Sequence, residues 1–287
     1  MLTGSDWKAA AHTWLTEAPV EHQRYALVDM ANVHVDKRQV LARLKARQAH
    51  NILADERPDA QEASAWLMPL RPERPGLRDF DETLEWASRS ACVTWLHSTL
   101  APSALAHALN ERTMATLPDD YHVLLRCYDP RVLPEIHAVL REDQAMRYWA
   151  LGGQWAYVDR ARTFRTIELP PTTEAAPFAA PLILTQHQAD LLLAAAEVDT
   201  VMPELVRESP EAFLAVQVEE RVAMTRRMLK AADRLRLEAL SDRVMFCVLS
   251  LELGEGFEDS KEWATAMAQV KNRQSTLRQA IEHVTRK

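Results

Sequence analysis

Between Pro170 and Pro181 the chain runs P-P-T-T-E-A-A-P-F-A-A-P, four prolines in twelve residues. Each proline removes a backbone donor and holds the chain near an extended form. Neither a helix nor a central strand can pass through such a stretch, so it divides the sequence into two patterns. We place a linker at 170–181, with one domain over 1–169 and another over 182–287.

Before the prolines, short apolar runs alternate with helical periodicity. Y-A-L-V-D-M (Tyr25–Met30), A-W-L-M-P-L (Ala65–Leu70), A-C-V-T-W-L (Ala91–Leu96) and Y-H-V-L-L-R-C-Y (Tyr121–Tyr128) have the length and content of buried strands. Helical spacing fills the gaps over Lys37–His50, Phe80–Ser88, Ser103–Arg112 and Pro130–Arg141. Strands separated by helices imply βαβ crossovers, hence an α/β domain with a mixed, mostly parallel sheet. Met146–Leu151 and Gln154–Arg160 flank Gly152-Gly153, a pair suited to a tight hairpin at an antiparallel edge. After the prolines the pattern is helical throughout, which predicts an all-α domain. T-Q-H-Q at Thr185–Gln188 fits a capping box, and Ser209-Pro210 precedes a long amphipathic stretch through Leu235.

Composition narrows the function. With 34 basic and 41 acidic residues the net charge is −7, which opposes a general nucleic-acid or anionic-membrane binder. The longest wholly apolar run, Val244–Leu249, is far too short to span a bilayer. Met1–Ala11 carries no apolar core of a signal peptide, so a soluble, cytoplasmic protein is expected. Cys92, Cys127 and Cys247 are far apart and suit buried small hydrophobes in a reducing compartment. The six glycines form no phosphate-binding loop, and no cofactor is expected.

Chemistry-bearing residues are few. On a parallel sheet, Asp29, His97 with Ser98, and Asp129 would lie at strand ends, where ligands gather. An α/β hydrolase-like enzyme could use Asp29, His97 and Asp129 as acid, base and orienter. The simpler reading makes Asp129-Pro130 a cap followed by a first-turn proline. Arg131 opposes the dipole of the helix it would open and needs a carboxylate, Asp129 or Asp29. Arg126, in an apolar run, must be paired if buried. Arg126, Tyr128, Asp129, Pro130 and Arg131 are therefore expected to form a structural motif. His34 and Asp36 could share a face as metal ligands, but no further ligand is near and no metal is expected. Trp149, Trp155 and Tyr157 on the expected hairpin are candidate anchors for a protein partner.

These blocks resemble a known family. Y-A-L-V-D at Tyr25–Asp29, C-V-T-W-L-H-S-T-L at Cys92–Leu100 followed by A-L-A-H-A-L, and above all L-L-R-C-Y-D-P-R-V-L at Leu124–Leu133 are similar to motifs of the type VI secretion effector adaptors. This is the Tap or TEC chaperone family, long catalogued as a bacterial domain of unknown function. Cys127 stands where an aromatic is more usual. The resemblance covers roughly residues 24–165, including Gln154-Trp155. It implies a non-enzymatic cytoplasmic adaptor whose partners are a toxic effector and the VgrG spike protein.

Overall fold

The computed structural model describes residues 6–53, 57–70, 78–171 and 177–286. Part of the proline-rich stretch, 172–176, lies outside the described residues. The chain forms two compact units, Met1–Leu193 and Ala194–Lys287.

The first unit opens with α1 (Asp6–Glu17), β1 (Gln23–Asp29), α2 (Lys37–Ala46), β2 (His50–Asn51), the single turn α3 (Pro58–Gln61) and β3 (Ala65–Leu70). It continues with α4 (Arg78–Arg89), β4 (Val93–Ser98), α5 (Pro102–Glu111), β5 (Met114–Thr116) and β6 (His122–Leu124). Then come α6 (Leu133–Val139), α7 (Glu142–Tyr148), β7 (Gly153–Val158), β8 (Phe164–Leu169) and β9 (Leu182–Ile183). The six-stranded sheet has the order β2-β3-β1-β4-β7-β8, and every neighbouring pair in it is antiparallel. β6, β5 and β9 form a separate small sheet, antiparallel between β5 and β6 and parallel between β5 and β9.

The expectation of a mostly parallel sheet is therefore wrong, for a definable reason. β1 and β2 run the same way, as do β3 and β4, so helical segments do join parallel strands. Each such pair is split by a third strand: β3 lies between β1 and β2, and β1 between β3 and β4. Interleaving converts every hydrogen-bonded neighbour into an antiparallel one, as in split βαβ arrangements.

The unbroken apolar runs arise because both faces of the large sheet are covered. Tyr25 and Leu27 of β1 face a core shared with Leu105 and Leu109 of α5, Ile136 of α6 and Tyr148 of α7. Ala26 and Val28 face the opposite core, built on Trp7 and Leu15 of α1, Val40 and Leu44 of α2, and Phe80 and Leu84 of α4. Period-two alternation is present, but both phases are apolar.

Three further expectations are corrected. The apolar run Tyr121–Tyr128 supplies only the short β6, outside the main sheet, and then turns. Met146–Leu151 is no strand: its first part completes α7, and the hairpin is β7–β8, closed over Asp159–Thr163. Residues 182–287 are not all helical, since β9 pairs with β5 through Ala115↔Leu182 and Thr116↔Ile183.

Gly153 has a steric role instead of a hairpin one. It pairs with Ser98 at the start of β7 at φ 147°, and an added Cβ would stand 2.0 Å from the His97 carbonyl oxygen. Arg112 is 4% exposed, and its hydrogen bonds among the described residues go to carbonyls. It donates to the carbonyls of Tyr148 (2.5 Å) and Arg147 (3.2 Å) at the end of α7, and to Ala108 of α5 (2.6 Å). The partial negative charge of two helix C-termini replaces the usual anion.

α8 (Gln186–Glu208) carries the division between the units and is opened by the expected box, with Thr185 N–H donating to Gln188 Oε1 at 3.0 Å. The second unit continues with α9 (Pro210–Ala215), α10 (Val218–Arg234), α11 (Leu240–Leu253), α12 (Ala264–Lys271) and α13 (Leu277–Thr285). The stretch expected as one helix from Pro210 is broken where Val216 and Gln217 become extended. Its cores gather around Met228, Phe213 and Cys247 and around Phe246, Phe257 and Trp263.

Gly153→Ala is expected to destabilise the first unit by about 1–3 kcal/mol or more through backbone strain and the collision with His97. Chemical denaturation checks it. A variant with the parent's midpoint would show that the β4–β7 approach is not as close as described.

Candidate functional site

A dense cluster of charged groups built on two buried carboxylates joins the end of β1 to the turn ahead of α6. Asp29 and Asp129 are both fully buried. Arg126 places Nη2 2.5 Å from Asp29 Oδ2 and 3.2 Å from Asp129 Oδ2. Arg131 takes Asp129 in a fork, Nε to Oδ1 at 3.0 Å and Nη2 to Oδ2 at 2.8 Å. Asn32 Nδ2 donates to Asp29 Oδ2 at 2.7 Å and to Asp129 Oδ2 at 3.2 Å.

Local sequence explains each position. D-M-A-N places Asp29 ahead of a 3₁₀ turn, where Oδ1 accepts from the Ala31 amide and Asn32 returns beneath it. D-P-R makes Asp129 a turn residue whose Oδ1 accepts the Arg131 amide at 2.9 Å. The helix itself begins only at Leu133, so Asp129 closes the turn ahead of it. Pro130 sits in that turn. Tyr128 is buried, with its ring centroid 6.0 Å from the Arg126 guanidinium carbon.

Electrostatics follow from burial. Desolvation raises the Asp29 carboxyl above its ordinary range; Arg126 pulls it back and the Asp129 charge pushes it up again. Desolvation works against the Arg126 charge, but Asp29 and Asp129 outweigh it and the net shift is upward. Burial also lifts the Tyr128 hydroxyl. Both arginine side chains remain about one-third exposed. Chemically the cluster is a neutralised lattice: each carboxylate oxygen already accepts a donor, leaving no free base or nucleophile.

The other candidates lie elsewhere. β4 is antiparallel to β1, so His97 pairs with Arg24 at the start of β1, five residues from Asp29. At about 3.3 Å per residue that is roughly 17 Å. Asp29, His97 and Asp129 do not converge. Ser98 is buried, and its hydroxyl is engaged by the Leu151 carbonyl and the Leu100 amide. Asp36 caps α2 through the amides of Arg38 and Gln39 (3.0 and 3.2 Å), while His34 is exposed. Among the described residues no group of three or more ligating side chains could hold a metal ion. Burial pushes the thiols of Cys92 and Cys127 up to about 11, and that of Cys247 up to about 12.

Trp149, Trp155 and Tyr157 are not surface anchors. Their exposures are 2%, 0% and 8%. Trp155 donates to Thr94 Oγ1 at 2.9 Å and meets Trp149 edge-on at 5.9 Å. The covering of both sheet faces draws these rings inward. Three exposed apolar side chains of the first unit gather instead on the small sheet, where Met114, Leu124 and Ile183 are 39%, 49% and 71% exposed. Met114 faces Leu124, and Thr116 faces both His122 and Ile183. These five therefore stand on one side, opposite buried Ala115.

A histidine pair that sequence reasoning missed lies at the other end of β1. His22 Nδ1 and His97 Nδ1 are 2.8 Å apart, and Trp14 is tilted over the His97 ring at 5.0 Å. One ring must donate and the other accept, so the pair excludes double protonation. Burial, followed by the neighbouring His22, lowers His97 to about 4.

Residues 24–147, less than half of the chain, match the model of a family described as a domain of unknown function (DUF4123). No curated protein and no solved structure matches the chain. Among the described residues no helix is long and apolar enough to cross a membrane.

Two outcomes follow. Arg126→Met strands buried Asp29, while Asp129 keeps its fork to Arg131, and is expected to cost about 3–5 kcal/mol; Arg131→Met leaves Arg126 within reach of both carboxylates and costs less; urea unfolding ranks them, and equal losses would contradict the shared role of Arg126. His97 is protonated more readily in the unfolded chain, so its contribution is complete above pH ~6.5 and declines as pH falls toward 4. In His97→Phe the loss of urea midpoint between pH 7 and 5 should be smaller than in the parent, and an unchanged pH slope would remove His97 as its source.

Proposed function

We propose that this protein is a non-enzymatic cytoplasmic adaptor that binds a type VI secretion effector and helps load it onto the VgrG spike. The observation that carries the reading is the L-L-R-C-Y-D-P-R-V-L block at Leu124–Leu133. It resembles the adaptor family's signature, with Cys127 where an aromatic is more usual, and it lies within the segment matching the domain family. The interior lattice of Arg126, Asp129 and Arg131 gives that signature an architectural role. This is what a binding scaffold requires of a strongly patterned motif.

A scaffold of this kind recognises its partner through side chains that folding leaves outside. On the adaptor reading, the effector contact falls on the small-sheet face bearing Met114, Leu124 and Ile183, since aliphatic groups at a sheet surface gain most from being covered. The hydrolase-like alternative gains no support, because the strand directions separate Asp29 from His97.

The test is deletion of the gene in its host together with co-purification of the products of the genes beside it. Loss of effector delivery, with the rest of the secretion machine working, is the expected result. The double variant Leu124→Asp, Ile183→Asp should keep the parent's thermal midpoint and lose effector co-purification by about tenfold or more. Unchanged delivery on deletion, or turnover of a metabolite by the purified protein, would sink the adaptor reading. Full retention of binding by the double variant would displace only the assigned face.

A further inference from the structure

The second unit holds a groove that the adaptor reading does not use. Two adjoining cavities of about 300 and 290 Å³ share Ala231, Arg234, Glu258 and Asp259. They lie between α10, the 3₁₀ turn Phe257–Asp259 and α12. Their depth comes from small residues: Ala231 on one wall, and Ala264 and Ala268 on the other, with Met267 between.

Glu258 lines both cavities. Its side chain is only 7% exposed, and its nearest cation, Arg234 Nη2, is 3.5 Å from Oε1. Among the described residues Oε2 has no hydrogen-bond partner. A buried carboxylate oxygen without a donor carries its full desolvation cost. A Glu at this place is therefore out of balance in the isolated chain. Its terminal torsion is broad, so either oxygen can be turned toward the groove.

We propose that this groove takes a basic side chain, arginine or lysine, from a segment of a partner protein, with the cationic head on Glu258 and the methylene stem along Ala231 and Met267. The surrounding charges favour a protein segment over a free polyamine. Lys230, Lys271 and Arg234 stand on the rim and repel a second or third positive charge. The same cations attract carboxylates flanking the inserted residue. Arg227 on the far rim is engaged by Glu255 at 2.9 and 2.8 Å. Asp259, exposed beside Glu258, is the remaining acid. The inference rests on the second unit alone and stands whether or not the protein is an adaptor.

The probe is the blocked pentapeptide acetyl-Ala-Ala-Arg-Ala-Ala-amide, with its Lys and citrulline counterparts and spermidine as comparators. The readout is the ¹³C-methyl resonance of Met267 in the full chain. The Arg and Lys peptides should give saturable shifts. The neutral citrulline peptide should bind about tenfold more weakly, as expected for loss of a charge-assisted bond. Glu258→Gln should abolish the discrimination between arginine and citrulline. Arg234→Gln removes the cation that lies 3.5 Å from Glu258 from an exposed position and should tighten the arginine peptide. The proposal is overturned by absent or non-saturable shifts, by equal arginine and citrulline binding, by discrimination that survives Glu258→Gln, by weaker binding in Arg234→Gln, or by spermidine binding as tightly as the peptides.

Discussion

Two carboxylates a hundred positions apart in sequence, Asp29 and Asp129, are both removed from water and lie within reach of one guanidinium. The first unit is organised around that constraint. Neither acid is tolerable alone in the interior, and side by side they repel. Arg126 between them, with Asn32 and the fork of Arg131, turns two liabilities into one neutral cluster. Asp29 is also where the main sheet is tied off: its amide donates to Cys92 O at 2.8 Å, and the Met30 amide to Ser64 O at 3.0 Å. The ends of the β1–β3 and β1–β4 ladders therefore meet at the residue that Arg126 neutralises. A mispositioned turn before α6 would leave that charge stranded, so the cluster favours one arrangement of β1 against the 126–131 segment.

Arg112 shows a second way to bury a cation. Its partners are carbonyls at the ends of α5 and α7, and its guanidinium carbon lies 4.7 Å from the Phe178 ring. Burial lowers its pKa, with Tyr148 acting against the shift. Tyr148 in turn donates its hydroxyl to Arg112 O at 2.8 Å. The exchange fixes the end of α7 to the residue that closes α5, where a carboxylate would have fixed only one side chain. Nothing in the sequence near Arg112 marks it, because its counter-charge is backbone.

The sequence and the structure diverge where information is non-local. Ala65–Leu70 is a strand with the expected bounds, and Asp36, Thr185 and Gln188 act within a turn of themselves, so local chemistry reveals them. Pairing direction is different: an apolar run shows that both faces are covered, but not which strand slips between its ends. The run Tyr121–Tyr128 has strand composition throughout, yet Arg126 is drawn to Asp29, and the chain turns after Leu124 to let it reach. That Arg126 needs a carboxylate follows from its type. That the carboxylate is Asp29, 97 residues away, depends on a fold the run itself does not contain. Trp149 and Trp155 were misplaced for a related reason: aromatic content fits a buried face and a binding surface equally well, and the covering helices decide between them. Asn32 had a readable signal, since D-M-A-N is a turn sequence that returns the amide toward the aspartate.

The chemistry-bearing side chains of this chain are engaged in placing its backbone. Here His97 is held by His22, the Ser98 hydroxyl by a main-chain carbonyl and amide, and the two buried aspartates by arginines and Asn32. The three cysteines are buried and hard to ionise. Each of these groups is turned to a neighbour within the chain, and each contributes to placing backbone. The features left facing outward differ between the units: an aliphatic sheet face in the first, and in the second a charged groove with a carboxylate short of donors. Such features select by shape and by sign of charge.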